Sequence, residues 1–320
     1  MAEKPVIWIA RRLSDATLAR AERDYDCIVN HDDGLSSAED LIAMSARVDG
    51  IVPCHSEHFS AEVAARLDPR LKIIANHSVG VDHCDLSALK ARGIAVTNTP
   101  DVLSDATAEL TMLLMLGAAR RAVEGDRLVR TGAWDFWSPS FMVGKEVTGS
   151  RLGIVGMGRV GRAFAEKARG FRMEIHYYNR SRLPAEMEQG ATFHESLETL
   201  LPLSDFLSLH CPATPETKGF MNAERFALLP DGAVMVNAAR GALVDEAALV
   251  AALESGRLAA AGLDCFAVEP GGNPDFAPHE SIFMLPHIGS ATVKTRDAMG
   301  FRALDNLDAF FRGERPRDLL

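Results

Sequence analysis

Residues 152–182 read "LGIVGMGRVGRAFAEKARGFRMEIHYYNRSR", and the order of their parts decides the fold. A strand-like apolar run ends at Gly156. Gly158 and Gly161 follow, then a helix-like stretch, then a second apolar run, "MEIHYYN" (173–179). A glycine trio alone is a weak signal, but between a strand and a helix, with a second strand beyond, it is a strong one. Gly156 permits the tight turn, Gly158 lets the backbone approach a pyrophosphate, and Gly161 lets the helix pack on the strand. The helix N-terminus, with Arg159 and Val160 in its first turn, then presents backbone amides and the positive end of its dipole to phosphates. The segment predicts a dinucleotide site.

The end of the second run names the dinucleotide. At Asn179 the pattern calls for an Asp or Glu, which accepts hydrogen bonds from the adenosine ribose of NAD. Here an amide is followed by Arg180, Ser181 and Arg182. An acid would repel a phosphate on the ribose 2′ oxygen; Asn179 does not, and two guanidinium groups and a hydroxyl stand beside it. A hydrogen bond to a charged group is worth roughly 1.5–3 kcal/mol. Discounted for exposure, two such contacts supply about 2–4 kcal/mol, a roughly 30- to 1000-fold preference. The expectation is NADPH over NADH.

Outward from this segment, short apolar runs alternate with helix-like stretches. "VIWIA" (6–10), "VDGIVP" (48–53), "LKIIAN" (71–76) and "IAVTN" (94–98) form one set. "FLSLHC" (206–211), "AVMVNAA" (233–239), "AAGLDC" (260–265) and "SIFMLP" (281–286) continue the other. Between them lie patterns such as "VDEAALVAALESG" (244–256), whose acidic start, apolar spacing and closing glycine mark a helix. Strand–helix–strand repetition means parallel sheets with crossover helices. The sets are separated by 101–150, which shows no strand signal: a helix over about 102–130 leads into "GAWDFWSPSF" (132–141). The last segment, 292–313, reads as one amphipathic helix that returns to the first domain. A chain of 320 residues is comfortable for two domains.

The net charge of −10 argues against nucleic acid and anionic membrane as partners. Five scattered cysteines without a C-x-x-C suggest reduced thiols in a cytoplasmic protein. No segment resembles a signal peptide, and the longest apolar run, "LTMLLMLGAA" (110–119), is too short to span a bilayer.

In open parallel sheets, chemistry collects beyond the carboxyl ends of the strands. Arg240 in "VNAARGALVDE", Glu269 in "GLDCFAVEP" and His287 in "LPHIGSAT" each follow a strand-like run. Reduction of a 2-oxo acid needs what they offer. A bidentate arginine clamps the carboxylate better than lysine does. An imidazolium gives the carbonyl oxygen a proton as hydride arrives, and a carboxylate beside it favours its charged form and fixes its orientation.

"SVGVDHCDL", "TNTPDVLSDATAEL", "GIVGMGRVG", "VNAARGALVDEAAL", "GLDCFAVEP" and "LPHIGSAT" resemble, in order, segments of the D-isomer-specific 2-hydroxyacid dehydrogenases. The likeness covers about residues 45–315, and "SVGVDH", "YNRSR" and "PHIGSATVKTR" look most like the glyoxylate/hydroxypyruvate reductase branch. The resemblance implies an α/β chain of two Rossmann-like parallel-sheet domains, one flavodoxin-like and one dinucleotide-binding, with a cleft between them. Residues 1–100, completed by the C-terminal helix in 288–320, would form the substrate-binding domain; residues 101–287 would form the NADP(H)-binding domain, with a dimerisation arm at about 101–145. Arg240 would bind the carboxylate and polarise the carbonyl, His287 would be proton donor and Glu269 its partner. Val79 and Gly80 would hold the carboxylate through backbone amides, with Ser290 also on the substrate side. Asp264 would orient the nicotinamide amide, Ala238 and Gly289 would line its ring, and Cys211, Pro212, Thr217 and Thr107 would lie along the rest of the coenzyme. The family often has two glutamates in the Glu269 loop; here the earlier position is Ala267. The loop 266–281 is rich in glycine and proline, and its shape cannot be read from sequence. Trp134, Trp137 and Phe141 on the arm would face a second subunit of a homodimer.

"PCHSEH" (53–58), with His77, His83 and Cys84, looks like a metal cluster on paper. It lacks paired cysteines, and the hydride chemistry needs no metal, so none is expected. The reading is therefore an NADPH-dependent reductase of glyoxylate and hydroxypyruvate, acting on a small 2-oxo or 2-hydroxy acid. A sibling dehydrogenase for another 2-hydroxy acid, formate or phosphite is the alternative, and a dinucleotide-sensing corepressor-like protein the remote one.

Overall fold

The computed structural model describes residues 3–320 and divides into two compact units. One contains the chain up to Leu103 together with Ser290–Leu320; the other is Ser104–Gly289. Both are parallel α/β sheets, as the strand–helix alternation predicts.

The first unit runs β1 (Val6–Ile9), α1 (Asp15–Asp24), β2 (Asp26–Val29), α2 (Ala38–Ser45), β3 (Gly50–Val52), α3 (Ala61–Arg66), β4 (Ile73–Ala75), α4 (Leu86–Ala91) and β5 (Ala95–Thr97). The C-terminal helix, Val293–Phe311, completes it. The strand order is β2-β1-β3-β4-β5. Ser14, Ser37, Ser60 and Asp85 cap the four helices by accepting a backbone N–H of the first turn. Both sheet faces are covered, one around Trp8, Ile51 and Ile74, the other around Ile7, Ile9 and Ile73, which explains continuous rather than alternating apolar runs.

The second unit begins with α5 (Ser104–Ala119) and α6 (Ala122–Arg130) and continues through β6 (Arg151–Val155), α7 (Arg159–Arg169), β7 (Glu174–Tyr178), α8 (Ala185–Glu188), β8 (Thr192–His194), α9 (Leu197–Leu200), β9 (Phe206–Leu209), α10 (Ala223–Ala227), β10 (Ala233–Asn237), α11 (Glu246–Glu254), β11 (Leu258–Leu263) and β12 (Ile282–Met284). Its order is β12-β11-β10-β9-β6-β7-β8, all parallel. The single helix expected over about 102–130 is in fact two. Arg121 takes a left-handed φ of 55° between them, held by its side chain's two bonds to Glu124 at 2.9 and 2.8 Å. Strands β2 and β8 escaped the sequence reading because both are edge strands: β8 has only three residues, and β2 is only partly buried, so neither forms a long apolar run. Among the described residues, no helix is long and apolar enough to cross a membrane.

The C-terminal tail is stitched into the first unit. Leu320 N–H donates to Val96 O at 3.0 Å. Asp318, its side chain 5% exposed, accepts Arg302 Nε at 2.5 Å and Nη2 at 3.1 Å, and Asn306 Nδ2 at 3.0 Å. Removing the carboxylate leaves a largely buried guanidinium without its anion. Asp318→Ala is therefore expected to destabilise this unit by about 2–4 kcal/mol, read by urea denaturation. A change within experimental error would show that the tail is not held by this group.

Candidate active site

Parallel pairing aligns the carboxyl ends of the larger sheet. His194, Tyr178, Val155, Leu209, Asn237, Leu263 and Met284 stand side by side across it. The residues singled out from sequence follow this row within a few positions: Gly156, Asn179, Cys211, Ala238, Arg240, Asp264 and His287. Strand order reverses at β6, flanked by β7 and β9, and the glycine turn sits at that switch point.

The turn fits a dinucleotide. Gly156 has φ +98°, and a Cβ there would lie 2.6 Å from Cys211 N. A Cβ on Gly161 would come within 2.3 Å of Gly156 O, so helix and strand touch through this residue. Around Gly158 the space is open, with nothing within 4 Å of a built Cβ. Helix α7 starts there without a side-chain cap, and the first turn of such a helix, here Arg159 and Val160, is a natural anion seat. Asn179 Oδ1 accepts Met157 N–H at 2.7 Å, tying the glycine turn to the end of β7. Arg180, Ser181 and Arg182 follow as exposed residues. On the other side, Thr217 Oγ1 donates to Pro212 O at 2.8 Å and accepts Thr214 N–H at 2.7 Å, shaping the loop after Cys211. Burial pushes the Cys211 thiol up to about 11, which favours the thiol over the thiolate.

Three further strand ends carry the candidate side chains Arg240, Glu269 and His287. After β10, Asn237 bridges its own loop: Oδ1 accepts Ala239 N–H at 3.0 Å and Nδ2 donates to Arg240 O at 2.8 Å. Arg240 Nη1 donates to Ala239 O at 2.8 Å. After β11, Glu269 Oε1 accepts Phe266 N–H at 2.7 Å, while Oε2 faces His287 Nδ1 at 2.5 Å. After β12, His287 sits at φ +54°, a conformation that costs an ordinary side chain on the order of 1–3 kcal/mol. Asp264 holds it there by accepting Ile288 N–H at 2.8 Å and Gly289 N–H at 2.7 Å. Thr107 from α5 borders the same turn, 3.4 Å from where a Cβ on Gly289 would be. The four groups share one electrostatic neighbourhood. Burial first, then the Glu269 and Asp264 carboxylates, push the enclosed Cys265 thiol well up, and Arg240 opposes them.

In the smaller unit, Asn98 Nδ2 donates to Val79 O and Ser78 Oγ to Gly80 O, both at 2.8 Å, so both carbonyls of that turn are engaged by side chains. Ser290 precedes the C-terminal helix. The histidines near "PCHSEH" have packing roles: His77 Nε2 lies 3.3 Å from Arg296 O, and His83 Nε2 lies 2.8 Å from Asn76 Oδ1.

Residues 112–289 match the family model described as D-isomer specific 2-hydroxyacid dehydrogenase, NAD binding domain. The chain belongs to the D-isomer specific 2-hydroxyacid dehydrogenases. It is an oxidoreductase of 2-hydroxy acids with an NAD(P)-binding domain. It is 44% identical to a glycerate dehydrogenase of Hyphomicrobium methylovorum over 97% of both chains, and 42% identical to a glyoxylate reductase of Pyrococcus horikoshii over 99% of this chain and 96% of that one. A crystal structure of an NADPH-dependent glyoxylate/hydroxypyruvate reductase from Sinorhizobium meliloti, in complex with NADP and malonate, superimposes with a TM-score of 0.87 at 31% identity, covering 99% of this chain and 97% of that one.

Sequence reading of this dehydrogenase missed the groups that aim the site. Asn237 and Asn98 look like ordinary strand-end amides. Glu246 reads only as a first-turn acid of α11, yet it accepts Ala267 N–H at 2.8 Å and Asn273 Nδ2 at 2.9 Å and so shapes the loop that carries Glu269. Asp264 is 2% exposed, and burial raises its pKa to about 6 against the pull of the Ile288 and Gly289 amides and His287. The folded chain thus binds a proton that the unfolded chain has released between about pH 4 and 6, so stability falls as pH rises through that window. The full cost, on the order of 2–3 kcal/mol, is present above it. Asp264→Asn is expected to remove this slope in denaturation experiments at pH 4.5 and 7. Parallel pH dependence in the two proteins would show that Asp264 does not carry it.

Proposed function

We propose that this dehydrogenase reduces glyoxylate to glycolate and hydroxypyruvate to D-glycerate with NADPH. The observation that carries the reading is the His287–Glu269 pair, 2.5 Å apart at strand ends of the sheet that also bears Arg240 and the glycine turn. The names of the related glycerate dehydrogenase and glyoxylate reductases support the substrate class.

The nicotinamide coenzyme, when bound, supplies the hydride. Arg240 clamps the substrate carboxylate through two N–H groups and polarises the neighbouring carbonyl. His287, as imidazolium, gives its proton to the carbonyl oxygen as that oxygen becomes an alcohol, and keeps its hydrogen bond to Glu269 as it turns neutral. Glu269, itself tethered by Phe266 N–H, fixes the ring so that Nδ1 is engaged and Nε2 is the donor. Under the same reading, the Val79 and Gly80 amides, and Ser290, go to the substrate carboxylate. Asp264 would take the nicotinamide amide, Ala238 and Gly289 would line its ring, Thr107, Cys211, Pro212 and Thr217 would follow the rest of the coenzyme, and the turn of Asn179, Arg180 and Ser181 would end at the adenosine ribose.

The arm supports a homodimer. Trp134, Phe136, Trp137 and Val143 are 54–73% exposed, a density of apolar surface that a second copy would cover. Phe141 packs against Phe136 in a tilted arrangement, with ring centroids 4.7 Å and ring planes 59° apart.

Initial rates with glyoxylate and hydroxypyruvate, titrating NADPH and NADH across saturation, test the reading. The expected result is turnover of both acids with NADPH favoured at least about 30-fold in kcat/KM. Equal use of NADH would remove the coenzyme assignment, and no turnover of either acid would remove the substrate assignment. Arg240→Lys is expected to raise KM and lower kcat together, costing about 100-fold or more in kcat/KM, because one ammonium cannot replace the fork. Kinetics unchanged by that substitution would exclude Arg240 as the clamp.

A further inference from the structure

Beyond β7 the chain is pinned at two points. Asn179 Oδ1 accepts Met157 N–H, and four residues later Leu183 N–H donates to the Tyr177 hydroxyl at 3.0 Å. Tyr177 is fully buried, and its own hydroxyl hydrogen goes to Glu188 Oε1 at 2.6 Å. The same carboxylate, on a side chain 7% exposed, accepts Arg182 through Nε at 2.8 Å and Nη2 at 3.0 Å. Arg169 of α7 anchors this corner, donating to Glu188 O at 2.9 Å and Gln189 Oε1 at 3.2 Å. The Arg182 pair and the phenol hold Glu188 below the ordinary carboxylate range.

The two arginines of the coenzyme turn are thus placed differently. Arg182 is forked onto a carboxylate that neutralises it where it stands. Drawing it toward a phosphate would leave that buried carboxylate without its cation, and the phosphate would approach a second anion. Arg180 and Ser181 lie on the exposed span between the two pins.

We propose that Glu188, together with Tyr177, is a positioning residue for the coenzyme turn: it keeps Arg182 as a structural clasp and leaves Arg180, with Ser181, to meet the ribose 2′-phosphate. The inference rests on the NADPH reading and deepens it by giving the two arginines separate tasks.

The test is equilibrium titration of NADP+ and of NAD+ against tryptophan fluorescence, with melting temperatures of the unliganded protein, for the unaltered chain, Arg180→Gln, Arg182→Gln, Glu188→Gln and the double variant of the last two. Arg180→Gln is expected to weaken NADP+ relative to NAD+ by about 10- to 100-fold. Arg182→Gln and Glu188→Gln are expected to lower the melting temperature by about 2–4 °C while moving the NADP+ to NAD+ ratio less than about threefold. The double variant should melt no lower than the weaker single one, since both remove the same clasp. Should Glu188→Gln not fold, Arg182→Lys, which keeps one ion pair to Glu188, carries the comparison and should retain the ratio. A selective loss of NADP+ in Arg182→Gln as large as in Arg180→Gln, or unmoved melting temperatures, would overturn the clasp. An unaltered protein that binds NAD+ as tightly as NADP+ would instead overturn the NADPH reading and the part given to Arg180.

Discussion

A parallel strand that reaches the end of its sheet leaves its last amides and carbonyls without partners, and each must be closed by something other than a strand. In this protein polar side chains close them, and in closing them they aim the functional groups. Asn179 closes the glycine turn through Met157, Asn237 closes the loop of Arg240, and Asp264 closes the turn that presents His287. Because the strand ends are in register across the larger sheet, groups more than a hundred residues apart in sequence, from Gly156 to His287, share one edge. The site is a property of that edge more than of any one motif.

That constraint also explains the site's chemistry. His287 adopts a backbone conformation disfavoured for any side chain but glycine, and it does so between a carboxylate that grips the amides of the next two residues and a carboxylate that grips its ring. The strain is held by Asp264, itself buried at the expense of a raised pKa. Destabilising groups of this kind persist where surrounding structure over-determines them, which is common at reactive centres. Under the proposed function, this arrangement supplies what reduction of a 2-oxo acid requires: an acid and a cation held beside a dinucleotide seat.

Much of this was legible in the sequence. The parallel α/β class followed from uninterrupted apolar runs, because strands such as β9 and β10 are buried on both faces and need no alternation. The family showed itself in six ordered motifs. What stayed hidden has a common physical reason: it depends on partners distant in sequence or on a single dihedral. Arg121 gives no local sign that it breaks the long helix, and β2 and β8, on sheet edges, carry too little apolar pressure to register. Glu188 looks like one more surface acid of "AEMEQG", and only the fold reveals Tyr177 and Arg182 upon it. Arg180 and Arg182 appear equivalent in "NRSR" and are not equivalent in space.

The claim on which the account turns is that Glu269 holds His287 as the proton donor. Steady-state kinetics of glyoxylate reduction in the unaltered protein, in Glu269→Gln and in Glu269→Ala test it most directly. Losing the carboxylate that fixes the ring at Nδ1 is expected to lower kcat by about 10- to 100-fold while KM changes little. A kcat unchanged by both substitutions would contradict the account and separate Glu269 from the proton transfer.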